Sequence, residues 1–418
     1  MRATACFVLA CAAAAIAISA CSTSPELDIV ISGGTVIDGT GADPHDADVG
    51  IKGDLIVAIG NLTNRSAPTR IDATGRMVTP GFIDVMGRSG VSLLSNGLAQ
   101  SHLRQGITTE MLVDRSPAFW TPAIPDQDAL RVAGVTFDWH GFDGYFGKLA
   151  ARGTAINVGT IAALSLASRD TEAFVDAAMR EGAWGVVDDG GIIADDIGRV
   201  ASAVARSGAV LMLPADSGAL ASDDTFLATA GAARRIVITD LARVASGTSY
   251  AELNRRIARA AERNIAVYGT VIPSLQPQTD SSMTEALRSG GVMIATNSEA
   301  VTIGRSSSPT AFGAFPRLLG SIVRDQHLME LKEAVRRSTS LPATVFNIPQ
   351  RGILRENYFA DIVIFDASTI ADRSTPAKPN QFPAGIDYVL VNGVVTSTPR
   401  GVTGARPGYG LLRKSAQR

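Results

Sequence analysis

Apolar and polar residues alternate with a period of two in two blocks far apart in the chain, and a long stretch of mixed periodicity separates them. The first block, residues 28–80, reads DIVISGGTVIDG, DVGIKGDLIVAIG and RIDATGRMVTPG. Apolar runs bounded by Gly, Asp and Pro predict short strands joined by turns. Val49 and Ile51, followed by Leu55, Val57 and Ile59 across Gly53-Asp54, predict a hairpin with a tight turn. The second block, ADIVIFD (360–366) and GIDYVLVNGVV (385–395), repeats the pattern. Two remote strand blocks predict one small β-sandwich built from both ends of the chain, residues 28–77 and 350–410.

Between them, apolar strand-like runs alternate with helical ones, the signature of parallel βα units. Eight strands are expected: Val78–Met86, Ile107–Val113, Ala155–Ala162, Trp184–Asp188, Ala209–Leu213, Arg235–Asp240, Ile265–Thr270 and Gly291–Thr296. Ser249-Tyr250-Ala251-Glu252 forms a capping box, and Leu253, Ile257, Ala260 and Ala261 follow on one helical face. Eight such units close into an α/β fold, a (β/α)8 TIM-type barrel over 78–349, and no Gly-rich phosphate fingerprint argues for a dinucleotide fold. In a barrel of this kind the chemistry gathers where strands end, at the C-terminal face. The segment Asp114 to Thr154, carrying Trp120 and Trp139, is expected either to overhang that face or to be a structural excursion.

Composition narrows the function classes. With 46% hydrophobic and 19% charged residues the chain is a folded globular one, and Lys+Arg 38 against Asp+Glu 40 gives no basic footprint for nucleic acid. The three cysteines, Cys6, Cys11 and Cys21, all lie in MRATACFVLACAAAAIAISAC, so nothing downstream can form a disulfide or a thiolate metal site. That opening carries one charge, Arg2, ahead of an alanine-rich apolar run, and is expected to be an export signal over residues 1–20. Its end, Ile18-Ser19-Ala20-Cys21, resembles a bacterial lipoprotein cleavage box, which implies acylation of Cys21. Residues 21–27 then serve as a lipid-anchored tether, and the expected location is the bacterial cell envelope, on the outer membrane facing the periplasm.

The strand motifs carry a further likeness. DIVISGGTVIDGTGA, VGIKGDLIVAIG, IDATGRMVTPGFID, RQGITT, FGAFPRLLGSIVRDQHLMELKEAVRRSTSLPA, RGILRENYFADIVIFD and GIDYVLVNGVV together resemble the N-acyl-D-amino-acid deacylase (D-aminoacylase-like) branch of the amidohydrolase superfamily, over about residues 28–410. The resemblance implies a distorted (β/α)8 barrel with a β-sandwich from both termini, and hydrolysis of amide bonds by a zinc-bound water. That chemistry needs three or four His, Cys or carboxylate ligands at strand ends.

At those positions the resemblance breaks. After GFID the family continues with a His-x-His pair, where this chain has Met86 and Arg88. The strand-two cysteine position falls on Arg115, the strand-five histidine position on Leu213 and the strand-six histidine position on Asp240. The catalytic aspartate position of strand eight falls on Asn297. Ser307-Ser308-Pro309-Thr310 stands where a His-Pro-Arg is usual, and Val271 to Gly290 is shorter than the corresponding family segment. The four histidines, His45, His102, His140 and His327, are expected in a turn, a helix, the excursion and a helix, as surface or capping residues. The five lysines, Lys52, Lys148, Lys332, Lys378 and Lys414, miss every expected barrel strand, which excludes a carboxylated bridging lysine. No zinc or other cofactor is expected, although Glu110, Asp114, Asp188, Asp189 and Asp240 offer an all-carboxylate alternative for a hard cation.

Two substitutions put permanent positive charge where a cation is implied. Arg88 and Arg115 are expected to pair with Asp240, Asp114 or a neighbouring acid, or to leave a guanidinium fork open to a carboxylate ligand. Arg88, Arg115, Asp188, Asp240 and Asn297 are thus the candidate binding residues. The leading expectation is an exported lipoprotein that keeps the amidohydrolase scaffold and binds, with a membrane, a small carboxylate or an envelope protein as partner. The alternative is a hydrolase of N-acyl amino acids or similar amides working through a relocated or non-zinc site, with two carboxylates such as Asp188 and Asp240 or Glu110 as acid and base.

Overall fold

The computed structural model describes residues 26–113, 134–166, 170–190, 196–242, 250–273, 275, 281–301 and 308–413. Seven strands come first: β1 (Ile29–Ser32), β2 (Thr35–Val36), β3 (His45–Asp46), β4 (Asp48–Lys52), β5 (Leu55–Gly60), β6 (Thr69–Asp72) and β7 (Met77–Pro80). Four more come last: β16 (Ile362–Phe365), β17 (Ile386–Val391), β18 (Val394–Thr398) and β19 (Gly401–Val402). They form two sheets, ordered β5-β4-β1-β6 and β19-β18-β17-β16-β7-β2-β3. Ile29, Ile31, Val49, Ile51 and Ile71 of the first sheet pack against Val78, Ile362, Ile364 and Leu390 of the second. Both ends of the chain thus contribute to one sandwich core.

The hairpin β4–β5 turns at Gly53, whose φ of 60° lies in the left-handed region that glycine enters freely. Its pairing is irregular between Gly50 and Ile51, which brings Ile51 opposite Ile56. Ile56 is therefore the buried residue of β5, and Val57, one of the alternating apolar residues that predict the hairpin, is 37% exposed.

The expected first barrel strand, Val78–Met86, is two strands. Met77–Pro80 pairs with β16 in the sandwich, and Phe82–Gly87 (β8) opens the barrel. The change of sheet occurs where Pro80 has no N–H to donate and the N–H of Gly81 turns to the carbonyl of Asp361 at 2.8 Å. The remaining barrel strands are β9 (Ile107–Leu112), β10 (Asn157–Ala163), β11 (Gly185–Val187), β12 (Val210–Pro214), β13 (Arg235–Thr239), β14 (Ala266–Val271) and β15 (Val292–Ile294). Each pairs in parallel with the next, so eight parallel strands with helices between them make a near-closed TIM-type barrel.

The strands are largely apolar on both faces because both are covered. Ile83, Val85, Met86, Met111, Met212, Val237 and Met293 fill the interior. Leu341, Val345 and Phe346 of the helix Ser340–Phe346 join them. Arg235, at the start of β13, donates to the carbonyl of Val345 at 3.0 Å, which places this helix under the N-terminal end of the barrel. Phe82, Leu112, Leu211, Leu213, Ile236 and Ile238 pack outward, and Phe82 stacks on Phe315 with centroids 5.4 Å apart.

Trp120 and the start of the excursion lie outside the described residues. Trp139, expected to overhang the mouth or to be part of a structural excursion, is 4% exposed and packs beside Phe137 in the helical layer. The following helix, Gly141–Arg152, is fixed by the Tyr145 hydroxyl donating to the carbonyl of Gly90 at 2.9 Å. The described part of the excursion therefore lies against the barrel flank.

Barrel and sandwich meet at a buried ion pair. Arg351 and Asp361 are within bonding distance, with side chains 2% and 4% exposed. Asp361 also accepts from the N–H of Asn392 at 2.8 Å and from Nδ2 of Asn157, in β10, at 3.2 Å. The guanidinium of Arg351 lies 4.1 Å from the ring centroid of Phe359 and donates to the hydroxyl of Tyr409 at 2.7 Å.

Candidate functional site

β15 and β8 do not share a backbone ladder. Side chains bridge the gap. Asp84 Oδ1 accepts from the N–H of Thr296 at 3.1 Å, and Asp84 Oδ2 from the Thr296 hydroxyl. The N–H of Arg88 then donates to the carbonyl of Ser298 at 3.0 Å. This joins the ends of strands one and eight and carries Arg88 and Asn297 to the mouth together. Arg88 Nε donates to Asn297 Oδ1 at 2.5 Å. Asn297 has φ 50°, a left-handed conformation that asparagine tolerates better than most side chains.

The structure thus pairs Arg88 with a neutral amide. The expected ion pair with Asp240 is absent, and Arg88 makes no ion pair among the described residues. Arg115 and Asp114 lie outside the described residues. Asp240 also has a positive φ, 51°, and its N–H donates to Thr270 Oγ1 at 2.8 Å. The Thr270 hydroxyl donates in turn to the thioether of Met86 at 3.0 Å. Met86 is 6% exposed, so at the expected position of an imidazole there is a sulfur turned into the barrel packing.

Leu213 does not face the mouth. It packs in the outer layer with Leu211, while Met212 faces inward. The all-apolar sequence VLML gives no alternation from which the face of Leu213 could be read. Asp188, at the end of β11, is 7% exposed and accepts from Ser217 Oγ and from the N–H of Gly190, both at 3.0 Å. Its neighbour Asp189 accepts from the N–H of Ser165 at 2.7 Å and from the Ser165 hydroxyl.

Glu110 corrects a second expectation. It precedes the inward-facing Met111 and points the other way, into a buried cluster under α1 (Gly90–Ser95) and α2 (Gln100–Leu103). There Glu110 Oε1 accepts from the hydroxyl and N–H of Ser89 at 2.6 and 3.2 Å. Of the carboxylates named for a hard cation, Glu110 is therefore not at the mouth, and Asp114 lies outside the described residues. Among the described residues no three His, Cys, Asp or Glu stand close enough to hold a metal ion.

His102 was expected at the surface or as a cap and is instead fully buried. Its Nε2 lies 3.6 Å from Glu110 Oε2 and 3.8 Å from Asp84 Oδ2. Burial lowers its pKa to about 3 and raises that of Asp84, since water no longer stabilises either charge. His45 is exposed in an edge strand, His140 precedes the helix Gly141–Arg152 without capping it, and His327 is exposed with φ 53°. The short helix α2, QSHL, shows no helical period, so the inward face of His102 left no trace in the sequence pattern.

Gly87 is dictated by the same cluster. A Cβ on it would stand 1.8 Å from Glu110 Oε1. Gly87→Ala is expected to cost about 1–3 kcal/mol of stability through this overpacking, measurable by urea denaturation. A loss under a few tenths would mean that Glu110 is free to move aside.

The sequence model of the amidohydrolase family matches residues 306–397. N-acyl-D-glutamate deacylase of Alcaligenes xylosoxydans xylosoxydans is 29% identical over 479 residues, covering 94% of this chain and 97% of the relative. D-aminoacylase of the same organism is 29% identical over 486 residues, covering 94% and 99%. The crystal structure of N-acyl-D-glutamate deacylase from Bordetella bronchiseptica, complexed with zinc and a phosphonate mimic of the tetrahedral intermediate, superposes with a TM-score of 0.79 at 27% identity. It covers 93% of this chain and 100% of that one. Among the described residues the groups at the expected ligand positions do not fit the zinc of that relative: a buried thioether, a guanidinium, an outward leucine and an amide leave Asp240 as the one carboxylate, with no imidazole or thiolate beside it. With its fold and both relatives agreeing along nearly its whole length, the chain is a homologue of N-acyl-D-glutamate deacylase and D-aminoacylase, and its residues 306–397 match the amidohydrolase family.

Proposed function

We propose that this protein is an exported, lipid-anchored homologue of the deacylases that does not carry out zinc-dependent hydrolysis and instead binds a small carboxylate at the barrel mouth. The observation that carries the reading is Arg88. Its Nε is held by Asn297 and it has no acidic partner among the described residues. A guanidinium oriented through Nε presents its two terminal nitrogens as a fork matched to a carboxylate. The relatives are named for N-acyl-D-glutamate and D-amino acid substrates, which carry such a group. Export and acylation of Cys21 rest on residues 1–21, and the placement at the outer membrane follows from them.

The test uses residues 22–418, loaded with zinc and freed of excess, then assayed for bound metal and for hydrolysis of a panel of N-acyl-D-amino acids. The expected result is little zinc and no turnover, with N-acetyl-D-glutamate bound in calorimetry. Arg88→Gln is expected to weaken that binding roughly 10- to 100-fold, as for loss of a charged hydrogen-bonded pair. Near-stoichiometric zinc with turnover would overturn the reading. Turnover without zinc would favour the alternative hydrolase, for which the buried Asp188, accepting from Ser217, is the acid-base candidate.

A further inference from the structure

Asp84, Glu110 and His102 are wholly buried, yet apolar residues of the same volume would fill the space under α1 and α2 without the cost of desolvating three ionisable groups. Their bonds run to the two segments that bear the mouth pair. Glu110 holds Ser89, the residue after Arg88, by its N–H and its hydroxyl. Asp84 holds Thr296, the residue before Asn297, by its N–H and its hydroxyl. The two segments are also laced to each other. The N–H of Ala300 donates to Ser89 Oγ at 2.6 Å and the N–H of Arg88 reaches the carbonyl of Ser298, while within the loop the N–H of Ser298 donates to Thr296 Oγ1 at 3.2 Å.

His102 stands between the acids, its Nε2 within 4 Å of one oxygen of each and without a hydrogen-bond partner of its own. On its other side, Nδ1 lies 3.5 Å from Ser101 Oγ, which accepts from the N–H of Val301 at 2.9 Å. Every member of the cluster therefore connects to the loop 296–301 or to the turn 87–89, and none lines the mouth itself.

We infer that Asp84, Glu110 and His102 are positioning residues for Arg88 and Asn297: each acid fixes one member of the pair, and the imidazole packs between the two acids and holds them apart. The purpose of the pair rests on the carboxylate-binding reading above, whereas the tethering does not. Cutting either tether lets the Arg88 side chain leave Asn297 while the barrel stays folded.

The experiment follows the Nε–H resonance of Arg88 by 15N NMR in the whole protein without ligand, assigned by its disappearance in Arg88→Lys. In the wild type the proton is expected to exchange slowly with water, because Asn297 holds it. Ser89→Ala and Thr296→Val each remove one tethering hydroxyl and are expected to shift and broaden the resonance. They should also weaken N-acetyl-D-glutamate binding about 5- to 10-fold, as for one lost hydrogen bond. Val204→Ala, in the buried face of a distant helix, serves as a control that lowers the melting temperature without moving the resonance. His102→Ala, which empties the space between the two acids, is expected to move it and His102→Gln, which refills that space with a polar side chain, to bring it back. If Ser89→Ala and Thr296→Val keep the wild-type resonance, the positioning role is wrong. If the resonance behaves as expected and the wild type binds no N-acetyl-D-glutamate, the positioning role stands and the carboxylate reading falls.

Discussion

Asp361→Ala is expected to lower folding stability by about 3–5 kcal/mol, because it strands a buried arginine with no counter-charge. Arg351 has a 2% exposed side chain and is hemmed in by Phe359 and Tyr409, so it has little room to reach water. Asp361 also satisfies the N–H of Asn392 and Nδ2 of Asn157, and both lose an acceptor in the variant. Guanidinium denaturation monitored by tryptophan fluorescence measures the effect. Because Asn157 belongs to the barrel and Asp361 and Asn392 to the C-terminal segment, the loss should fall on the joint between the two parts. A second transition, absent in the wild type, is the expected sign. A loss below 1 kcal/mol with one transition would show that the joint does not depend on this pair.

Acidification should unfold the protein through His102. Its folded pKa, about 3, lies below the ordinary 6.5, so the native state keeps the imidazole neutral while the unfolded chain takes up a proton. The stability it contributes is complete above pH 6.5 and is lost as the pH falls toward 3. The full difference corresponds to at most about 4–5 kcal/mol, at 1.36 kcal/mol per pKa unit. Asp84 works in the opposite sense: its raised pKa favours the protonated acid, so its contribution is present below the ordinary carboxylate value and is lost as the pH rises. Denaturation curves at a series of pH values should therefore slope downward below pH 6.5 in the wild type and be distinctly flatter there in His102→Gln. Parallel slopes for the two proteins would place the acid sensitivity elsewhere.

The barrel was legible in the sequence because its strands, covered on both faces, are short and largely apolar runs separated by helical ones. The same property hid the details. VLML gives no sign that Leu213 points outward, whereas Pro80-Gly81 is the mark in the sequence of the change from one sheet to another inside the expected strand Val78–Met86. In β5 the hairpin was legible but the buried positions were not, since beside the irregularity at Gly50 it is Ile56 that is buried and Val57 that is exposed. At the mouth, Met86, Arg88 and Asn297 could be singled out by residue type. The bond between Arg88 and Asn297 depended on a left-handed backbone at Asn297 and on side chains closing the seam, neither of which has a sequence period. His102 and Glu110 were read as a surface residue and a mouth acid, and only their packing under a helix of one turn shows what they share.

The interleaving of the two chain ends sets an order of assembly. Thr79 pairs with Val363 and Val78 with Ile364, so β7, which has β2 on its other side, keeps one bare edge until residues 362–365 have been made. Such remote pairings slow folding, and an unpaired strand is a template for association with other chains. A chain that stops before Ile362 would keep most of the barrel sequence and still present the row of open backbone groups on Met77–Pro80, and it should aggregate rather than accumulate as a free barrel.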